Sequence, residues 1–228
     1  MCRFCLASFG LAQIDVAAQT KEVMGLYEKY ILPKLLARAC GCKPIRKQRQ
    51  KIVPLAQGIV LEIGLGDGAN IPHYDAKQIQ AVYGLEPAKA MRDLARKRLH
   101  DIPFKLDIID GTAEQIPLPD ASVDTVLCTY TLCTIPDRKR ALKEIRRVLK
   151  PNGRFIYCEH SLAPDPHIAR WQQRLDPLWG LFAGGCSISQ PIMTLIDSAG
   201  FRIESSSEMY LPGTPRILGY NVWGWAGA

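Results

Sequence analysis

The residues best suited to chemistry lie in a glycine-rich loop that also carries acids. Residues 62–70 read Glu-Ile-Gly-Leu-Gly-Asp-Gly-Ala-Asn, and the apolar run before them is typical of a buried strand. Glycines at the corner between a strand and a helix let the backbone turn sharply and approach a ligand closely. Gly64, Gly66 and Ala69 have the spacing of a dinucleotide fingerprint, and Glu86 follows twenty residues after Gly66. The pattern therefore predicts a nucleotide-binding loop followed by a helix, for either a nicotinamide or flavin dinucleotide or S-adenosylmethionine (AdoMet).

The charges in this loop distinguish the two ligands. A dinucleotide places an anionic pyrophosphate against the loop, where the N-terminal amides of a helix favour negative charge. Glu62 precedes the first glycine and Asp67 lies within the loop, while no Lys or Arg occurs between Lys51 and Lys77 to offset them. Like charges near a pyrophosphate would weaken its binding, whereas AdoMet carries an ammonium and a sulfonium that suit carboxylates. The sequence therefore favours AdoMet, with Glu86 at the end of the next strand accepting both ribose hydroxyls.

Length and composition indicate one domain of ordinary size with a sizeable core. The chain has 228 residues, of which 47% are hydrophobic. No apolar stretch approaches the roughly 20 residues of a membrane-spanning helix. The apolar residues 4–14 form too short a run to favour a signal peptide.

The eight cysteines do not have the spacing of a metal site. Cys2 and Cys5 form a Cys-x-x-Cys, and Cys40 and Cys42 form a Cys-x-Cys more than thirty residues later, which is a poor match to a zinc site. We therefore expect free thiols and no metal. Scattered free cysteines in a nucleotide-binding fold are typical of a reduced, cytoplasmic protein.

The basic residues, which give a net charge of +7, fall in three runs. Two of them, Arg92–Arg98 and Arg138–Lys150, have helical spacing and are typical of solvated helix faces. The run Lys43–Lys51 suits contact with anionic lipid. No aromatic residues alternate with this run, which disfavours nucleic acid as a partner. We therefore expect a small-molecule acceptor, no nucleic acid, and peripheral membrane contact through the basic N-terminal region, while oligomeric state has no signal in the sequence.

Strand and helix patterns alternate from about residue 57. Helices are predicted over Ala88–Leu99 and Arg138–Leu149, the second closed by a turn at residues 151–153. Such alternation implies right-handed crossovers and a doubly wound α/β sheet, mostly parallel, with helices on both faces. The strands predicted in this region are Ile59–Leu61, Ala81–Leu85, Phe104–Ile109, Val123–Cys128 and Arg154–Cys158.

The pattern changes beyond Glu159. Trp171–Phe182 has the spacing of a helix interrupted by Pro177, and residues 163–190 are placed to form a lid over an acceptor. The elements predicted after it are a helix at Ile192–Ala199, ended by Gly200, and strands at Phe201–Glu204 and Ile217–Trp225.

Residues 55–162 carry motifs that resemble the class I AdoMet-dependent methyltransferases of the small-molecule type, with a methyltransferase type 11 domain. The likeness lies in residues 62–68, in Glu86, in Asp110–Pro117, where Thr112 replaces the commoner Asp, and in Arg147–Gly153. It implies a Rossmann-like sheet of seven strands with the last strand antiparallel, AdoMet as cofactor and S-adenosylhomocysteine as product. The domain then spans residues 55–228, preceded by an N-terminal helical segment or lid at residues 1–54. The cofactor-binding residues that the resemblance implies are Glu62, Gly64, Gly66, Gly68, Asn70, Glu86, Pro87, Met91, Gly111, Thr112, Ala113, Glu114, Cys128 and Thr129.

A narrower resemblance, over residues 60–190, is to the methyltransferase-like 7 group, whose members methylate alkyl thiols and hydrogen sulfide. It lies in the segments Cys128–Cys133, Glu159-His160, Trp171–Gln173 and Gly185-Cys186, and it implies an alkyl thiol as acceptor. A thiol with a pKa of about 8.5 is partly ionised at neutral pH and needs only a weak base. His160, after strand five, is the candidate for that base. The residues expected to line the acceptor pocket are Tyr30, Tyr130, Cys133, Trp171 and Cys186.

Other functions remain open on the sequence. A phospholipid amine of the phosphatidylethanolamine type would suit the basic run Lys43–Lys51, and arsenite and the ring carbon of a quinone are further acceptors. The segment after Cys128 lacks the Asn/Asp-Pro-Pro-Tyr pattern of nucleic-acid amine methyltransferases. Outside enzymes, the alternative is a non-catalytic nucleotide-binding module, in which the pocket after Cys128 would be filled or blocked.

Overall fold

The computed structural model describes residues 31, 32, 35, 38 and 40–228. Tyr30, Cys2, Cys5, the apolar run 4–14 and most of the predicted N-terminal segment lie outside the described residues. Within residues 40–228, seven strands form one sheet in the order β3-β2-β1-β4-β5-β7-β6. The strands are β1 (Gly58–Ile63), β2 (Ile79–Leu85), β3 (Lys105–Ile109), β4 (Val123–Thr129), β5 (Leu149–His160), β6 (Arg202–Tyr210) and β7 (Tyr220–Gly227). The α-helices with defined bounds are α1 (Lys43–Ile52), α2 (Lys89–Arg96), α3 (Arg138–Val148), α4 (Pro166–Phe182), α5 (Ile192–Ser198) and α6 (Arg216–Gly219).

The strand directions confirm the predicted doubly wound sheet. β1 is parallel to β2 and β4, and the outer pairs β2–β3 and β4–β5 are parallel as well. β7, the last strand, runs antiparallel to both β5 and β6. The strand order reverses between β1 and β4, so that the carboxyl ends of these two strands border the crevice in which such sheets bind ligands.

Alternate side chains of the central strands fill a core on each face of the sheet. On one face, Leu61 of β1 and Phe155 of β5 share a buried cluster with Leu142 of α3. On the other face, Val60 of β1 lies in a cluster with Ile52 of α1. Helices therefore cover both faces, as the alternation predicted.

The prediction of a helix directly after the glycine loop was wrong. Residues 66–70 form turns, and the only helical element between them and β2, which begins at Ile79, is a single 3₁₀ turn, Ile71–His73. Eight residues, 71–78, separate the loop from β2, too few to build a stable α-helix and return to the sheet. The loop amides therefore do not open an α-helix, and any ligand here meets the loop itself.

Other predicted elements differ mainly at their ends. α2 is shorter than the predicted Ala88–Leu99, and β5 begins at Leu149, where the sequence predicted the last residue of a helix. The predicted break at Pro177 was also wrong, because Pro177 lies inside α4. A proline there removes one backbone hydrogen bond, which the helix tolerates. Ile217 belongs to the short helix α6 and not to the last strand.

None of the helices that the structure describes has the length and apolar character needed to cross a membrane.

Candidate functional site

The glycine loop has an open side and a closed side. Gly64, Gly66 and Gly68 have φ values of +69°, +59° and +79°, the left-handed region that favours glycine. A Cβ on Gly64 would lie 2.3 Å from the Thr131 side chain, so the loop is tightly packed there. A Cβ on Gly66 would meet nothing closer than the methyl carbon of Met91 at 3.6 Å. Gly66 is thus the glycine whose backbone a ligand can approach.

Glu86 follows β2 directly and fastens this loop. It is 8% exposed, and its two carboxylate oxygens accept hydrogen bonds from Gly66 N at 3.0 Å and Ala88 N at 2.9 Å. Burial raises the pKa of Glu86, against the effect of these two amides. A carboxylate held by two backbone amides has lone pairs left for further donors, so it can accept hydroxyl groups of a ligand.

Arg92 ties the loop after β2 to the loop after β3. Its Nη1 donates to the carbonyls of Glu86 and Pro87 at 2.8 and 2.7 Å, and its two terminal nitrogens donate to Asp110 at 2.8 and 2.6 Å. Thr112, two residues after Asp110, is exposed, whereas the Ala113 side chain is 5% exposed and packs in the core. Of the predicted adenine-side residues, Ala113 can therefore offer a ligand only its backbone. Gly111 packs against Leu85, and Glu114 accepts from Asp137 N at 3.5 Å.

A buried polar network links β1, the glycine loop and β4. Glu62, 1% exposed, accepts hydrogen bonds from Asn70 Nδ2 at 2.9 Å and from the Tyr74 hydroxyl at 2.6 Å. Asn70 Nδ2 also donates to Thr129 Oγ1 at 2.9 Å. Burial raises the pKa of Glu62 to about 7, although its two hydrogen bonds and the Arg49 charge act in the opposite direction.

Arg49 of α1 supplies the cation of this network. It is 6% exposed, and its Nη1 donates to Asn70 Oδ1 and to Thr129 Oγ1, each at 2.7 Å. The guanidinium lies 5.3 Å from the centre of the Tyr130 ring, within range of a cation–π contact. Its buried Nε–H has no partner among the described residues. An unpaired buried donor on a cation is costly, and an anionic ligand group would satisfy it.

The prediction that no cation offsets the acids of the loop was wrong. No Lys or Arg lies between Lys51 and Lys77, but two arginines from other parts of the chain lie close to these acids in the structure. Arg98 Nη2 lies 2.5 Å from Asp67 Oδ2, and Arg49 is close enough to lower the pKa of Glu62. Both arginines lie outside the stretch between Lys51 and Lys77, and the fold returns them to the loop. The charges of the loop alone therefore do not exclude a pyrophosphate.

Glu159, at the end of β5, shapes the turn that follows β4. This fully buried carboxylate accepts hydrogen bonds from the backbone amides of Thr131 at 2.9 Å, Leu132 at 3.1 Å and Cys133 at 3.3 Å. The Cys128 thiol donates to it at 3.4 Å. The Cys128 side chain thus points into the core, and any contact of this residue with a cofactor is through its backbone.

Tyr130 directly follows β4, and His160 is the last residue of β5, where the sequence predicted the acceptor. Tyr130 has a φ of +54°, which is strained for an aromatic residue, and its hydroxyl donates to Asn221 Oδ1 at 2.7 Å. The Asn221 amide also contacts His160 Nδ1 at 3.3 Å. The rings of Tyr130 and His160 meet edge to face, with 5.1 Å between their centres. Burial lowers the pKa of His160 to about 4, opposed by a hydrogen bond to the Leu218 backbone. His160 is therefore neutral at pH 7 and a weaker base than predicted.

The remaining predicted acceptor residues are only partly brought together. Cys133 and Cys186 have their sulfurs 3.5 Å apart, beside the turn that Glu159 holds. Trp171 on α4 is 44% exposed, and the Arg174 guanidinium lies 5.7 Å from the centre of its ring. Among the described residues, no contact joins Trp171 to Tyr130. Tyr30 lies outside the described residues.

Comparison with known proteins assigns the chain to a family. The methyltransferase domain matches residues 61–157. The human thiol S-methyltransferase TMT1A is 28% identical over 171 residues, which are 73% of this chain and 69% of that protein. The demethylmenaquinone methyltransferase of Thermotoga maritima is 31% identical over 176 residues, which are 72% of this chain and 73% of that protein. The chain belongs to the class I AdoMet-dependent methyltransferases.

The fold of this methyltransferase agrees with the assignment. A solved structure from Thermotoga maritima, described as an AdoMet-dependent methyltransferase and possible histamine N-methyltransferase, superimposes with a TM-score of 0.62 at 23% identity. The match covers 90% of this chain and 98% of that one. The protein is thus an enzyme that methylates a small molecule, and AdoMet is its methyl donor.

The described residues fit AdoMet. The open backbone at Gly66 and the fixed carboxylate of Glu86 suit the ribose side, and the unpaired Nε–H of Arg49 suits the carboxylate of the methionine part. The roles of three residues of this site were missed in the sequence analysis: Arg49, Glu159 and Asn221. Arg49 stood in the basic run Lys43–Lys51, which was assigned to contact with anionic lipid. Glu159 appeared only as part of the segment Glu159-His160 of the narrower resemblance, and Asn221 is an ordinary strand residue whose role depends on contacts across the sheet.

Proposed function

We propose that this methyltransferase transfers the methyl group of AdoMet to a small alkyl thiol. The observation that carries the proposal is the lack of a strong base among the described residues at the ends of β4 and β5. His160 has a pKa of about 4, and the Glu159 carboxylate is occupied by three backbone amides. An acceptor beside these strand ends would therefore have to ionise without help from the residues described there. A thiol, with a pKa of about 8.5, does so near neutral pH, whereas an alkylamine of pKa about 10 stays protonated.

Similarity supports the same acceptor. The human relative at 28% identity is named a thiol S-methyltransferase, and the identity extends over 69% of its length. Three of the segments that carried the narrower resemblance are in contact, because Cys133 meets Cys186 and donates its backbone N–H to Glu159.

The residues of the chain bind and orient rather than donate or remove protons. When bound, AdoMet supplies a methyl group already activated by its sulfonium. Glu86, Gly66 and Arg49 would hold the donor, and Tyr130, locked by Asn221, would form the wall against which the acceptor sulfur lies. Orientation of this kind can supply roughly 7–11 kcal/mol of a barrier.

A quinone ring carbon is the second candidate acceptor. The Thermotoga maritima relative is named a demethylmenaquinone methyltransferase, and its identity of 31% over 73% of its length exceeds that of the thiol enzyme. Carbon methylation on a quinol requires removal of a phenolic proton, with a pKa of about 10. The weak basicity of His160 disfavours that step.

A panel assay of S-adenosylhomocysteine release tests the proposal. The purified chain is incubated with AdoMet, a phosphine reductant, and one acceptor at a time: 2-mercaptoethanol, hydrogen sulfide, phosphatidylethanolamine vesicles, arsenite or a demethylmenaquinol analogue. We expect turnover with the two thiol compounds and little with the others. Turnover with the quinol analogue alone would replace the thiol by the second candidate. AdoMet binding without turnover on either thiol compound would overturn the proposal.

A further inference from the structure

Two cysteines that are distant in sequence face each other at the acceptor side. The Sγ atoms of Cys133 and Cys186 are 3.5 Å apart, although the two residues are 53 positions apart along the chain. Cys133 lies in the turn after β4, and Cys186 lies in the segment after α4. The sulfurs are in contact, yet well beyond the bond length of about 2.05 Å in a disulfide.

The main chain, and not only the side chains, holds the two segments together. Ser187 N–H, next to Cys186, donates to the Cys133 carbonyl at 3.0 Å. Arg138 Nη2 donates to the same carbonyl at 2.8 Å. Asp176 of α4 accepts from Ser187 Oγ at 2.6 Å and fixes the segment from the other side. The contact between the sulfurs is therefore built into the fold.

The two thiols have unequal surroundings. Cys133 is 1% exposed, whereas Cys186 is partly exposed. The buried Nε1–H of Trp179 has no nitrogen or oxygen partner among the described residues. Together with the Cys133 thiol, it lowers the pKa of Cys186 by hydrogen bonding, and the pKa of Cys133 is correspondingly raised. A thiolate at Cys186 would satisfy the Trp179 donor, so Cys186 is the reactive and accessible member of the pair.

We propose that Cys133 and Cys186 form a redox-active dithiol, which low-molecular-weight disulfides oxidise reversibly to an intramolecular disulfide. This modification site lies outside the methyl-transfer step. The bond requires the two sulfurs, now 3.5 Å apart, to approach by about 1.5 Å. The bond would fix the end of α4 to the turn that borders Tyr130.

Oxidation proceeds by two exchanges. The Cys186 thiolate attacks one sulfur of a disulfide R–S–S–R, which forms the mixed disulfide Cys186–S–S–R and releases R–S⁻. Cys133 then loses its proton to solvent, and its sulfur attacks Cys186 Sγ and expels the second R–S⁻. Two electrons leave the protein thiols and reduce R–S–S–R to two R–S⁻, which take up the protons released by the two cysteines. A dithiol such as dithiothreitol reverses both steps.

Peptide mapping of the oxidised protein tests the proposal. The full chain is incubated with glutathione disulfide, its remaining thiols are alkylated, and the digest is analysed by mass spectrometry without reduction. We expect the peptides containing Cys133 and Cys186 to be linked, with the loss of two hydrogens, and to separate after dithiothreitol treatment. A stable glutathione adduct on Cys186 of the wild-type chain, or full alkylation of both cysteines, would overturn the proposal.

Variants identify the order of the steps and control for other partners. In Cys133→Ser, the reaction should stop at the glutathione adduct of Cys186, whereas in Cys186→Ser neither adduct nor link should form at Cys133. Cys40 is the matched control, because Cys186 is near enough to it to help raise the pKa of the Cys40 thiol, and Cys40→Ser should leave the link intact. A link from Cys186 to Cys40 in the wild-type chain would contradict the assignment even if a variant failed to fold.

Discussion

The guanidinium of Arg49 and the hydroxyl of Thr129 lie 2.7 Å apart, and this contact joins α1 to the carboxyl end of β4. The same nitrogen reaches Asn70 in the glycine loop at 2.7 Å. Arg49 lies before residues 61–157, the region matched by the methyltransferase domain. It nevertheless contacts both the glycine loop and the end of β4, which border the proposed cofactor site. Because its Nε–H is left without a partner among the described residues, Arg49 is poised for an anion.

Arg49→Gln should weaken AdoMet binding by about 1.5–3 kcal/mol, the range for hydrogen bonds to a charged group. Isothermal titration calorimetry measures the affinity, and thermal melting checks that the variant is folded. Lys47→Gln, on the exposed part of the same helix, is the control and should bind as the wild type does. Arg49→Lys should recover only part of the affinity, because lysine lacks the guanidinium fork. If Arg49→Gln binds normally but melts early, the residue only supports the fold.

Gly66→Val should abolish measurable AdoMet binding. A Cβ there would have its nearest neighbour outside the adjoining residues at 3.6 Å, so that the branched side chain of valine would extend into the space left for a ligand. The positive φ of Gly66, +59°, adds backbone strain, and Gly213→Val controls for it. Gly213 has a φ of +75° and no atom within 4 Å of a Cβ, and it lies in a turn after β6. Both variants should lose stability, but Gly213→Val should keep its affinity, and equal affinities in the two would place the ligand elsewhere.

The fold was largely predictable because its signals are local. Each of the seven predicted strands overlaps an observed one, since buried strands are apolar runs bounded by Gly, Pro and Asp. The glycine loop and Glu86 could be predicted for the same reason. A short segment of the sequence contains both the turn and the residues expected to contact the ligand. The prediction of a helix after the loop was wrong because it assumed the usual strand–loop–helix order of this fold. Only eight residues, 71–78, are present between the loop and β2.

The site was less predictable, because its contacts join distant residues. Arg49 meets Thr129 across 80 positions, Asp67 meets Arg98 across 31, and Cys133 meets Cys186 across 53. Nothing near Arg49 in the sequence distinguishes it from the exposed basic residues of α1. The left-handed φ of Tyr130 also has no sequence signal, because aromatic residues seldom adopt it.

Glu86→Gln should weaken AdoMet binding by about 1.5–3 kcal/mol, the cost expected when a charged hydrogen-bond partner is lost. The amide nitrogen of Gln would face either Gly66 N–H or Ala88 N–H, where the carboxylate now accepts, so that the loop would lose one support as well. Calorimetry with AdoMet measures the change, and Glu208→Gln, on the outer strand β6, is the control. Unchanged affinity together with a collapse of thermal stability would make Glu86 a structural residue alone.

Glu62 should make the stability of the protein depend on pH. Burial raises its pKa from 4.5 to about 7, so the native state favours the protonated acid. This contribution to stability is full below the unfolded pKa of about 4.5 and is lost as the pH rises through 7. Glu62→Gln, which resembles the protonated form, should therefore gain about 2.5 kcal/mol in stability relative to the wild type between pH 5 and pH 8. Urea unfolding of both proteins at each pH measures the difference in their free energies of unfolding. The contributions of other titrating groups are the same in both proteins and cancel in this difference. A difference that is the same at every pH would mean that Arg49 keeps Glu62 ionised throughout.

The acceptor itself should set the pH dependence of methyl transfer. With a pKa of about 4, His160 is neutral from pH 6 to pH 9 and cannot supply a titration in that range. The value of kcat/KM should therefore rise with the thiolate fraction of the acceptor, and its midpoint should move when a thiol of lower pKa replaces one of higher pKa. His160→Asn should lower the rate by a similar factor at every pH, because the ring positions Tyr130 and Asn221 rather than removing a proton. A loss confined to pH values below the pKa of the thiol would restore His160 as the base. A midpoint that stays fixed for thiols of different pKa would instead mean that a group on the enzyme controls the reaction.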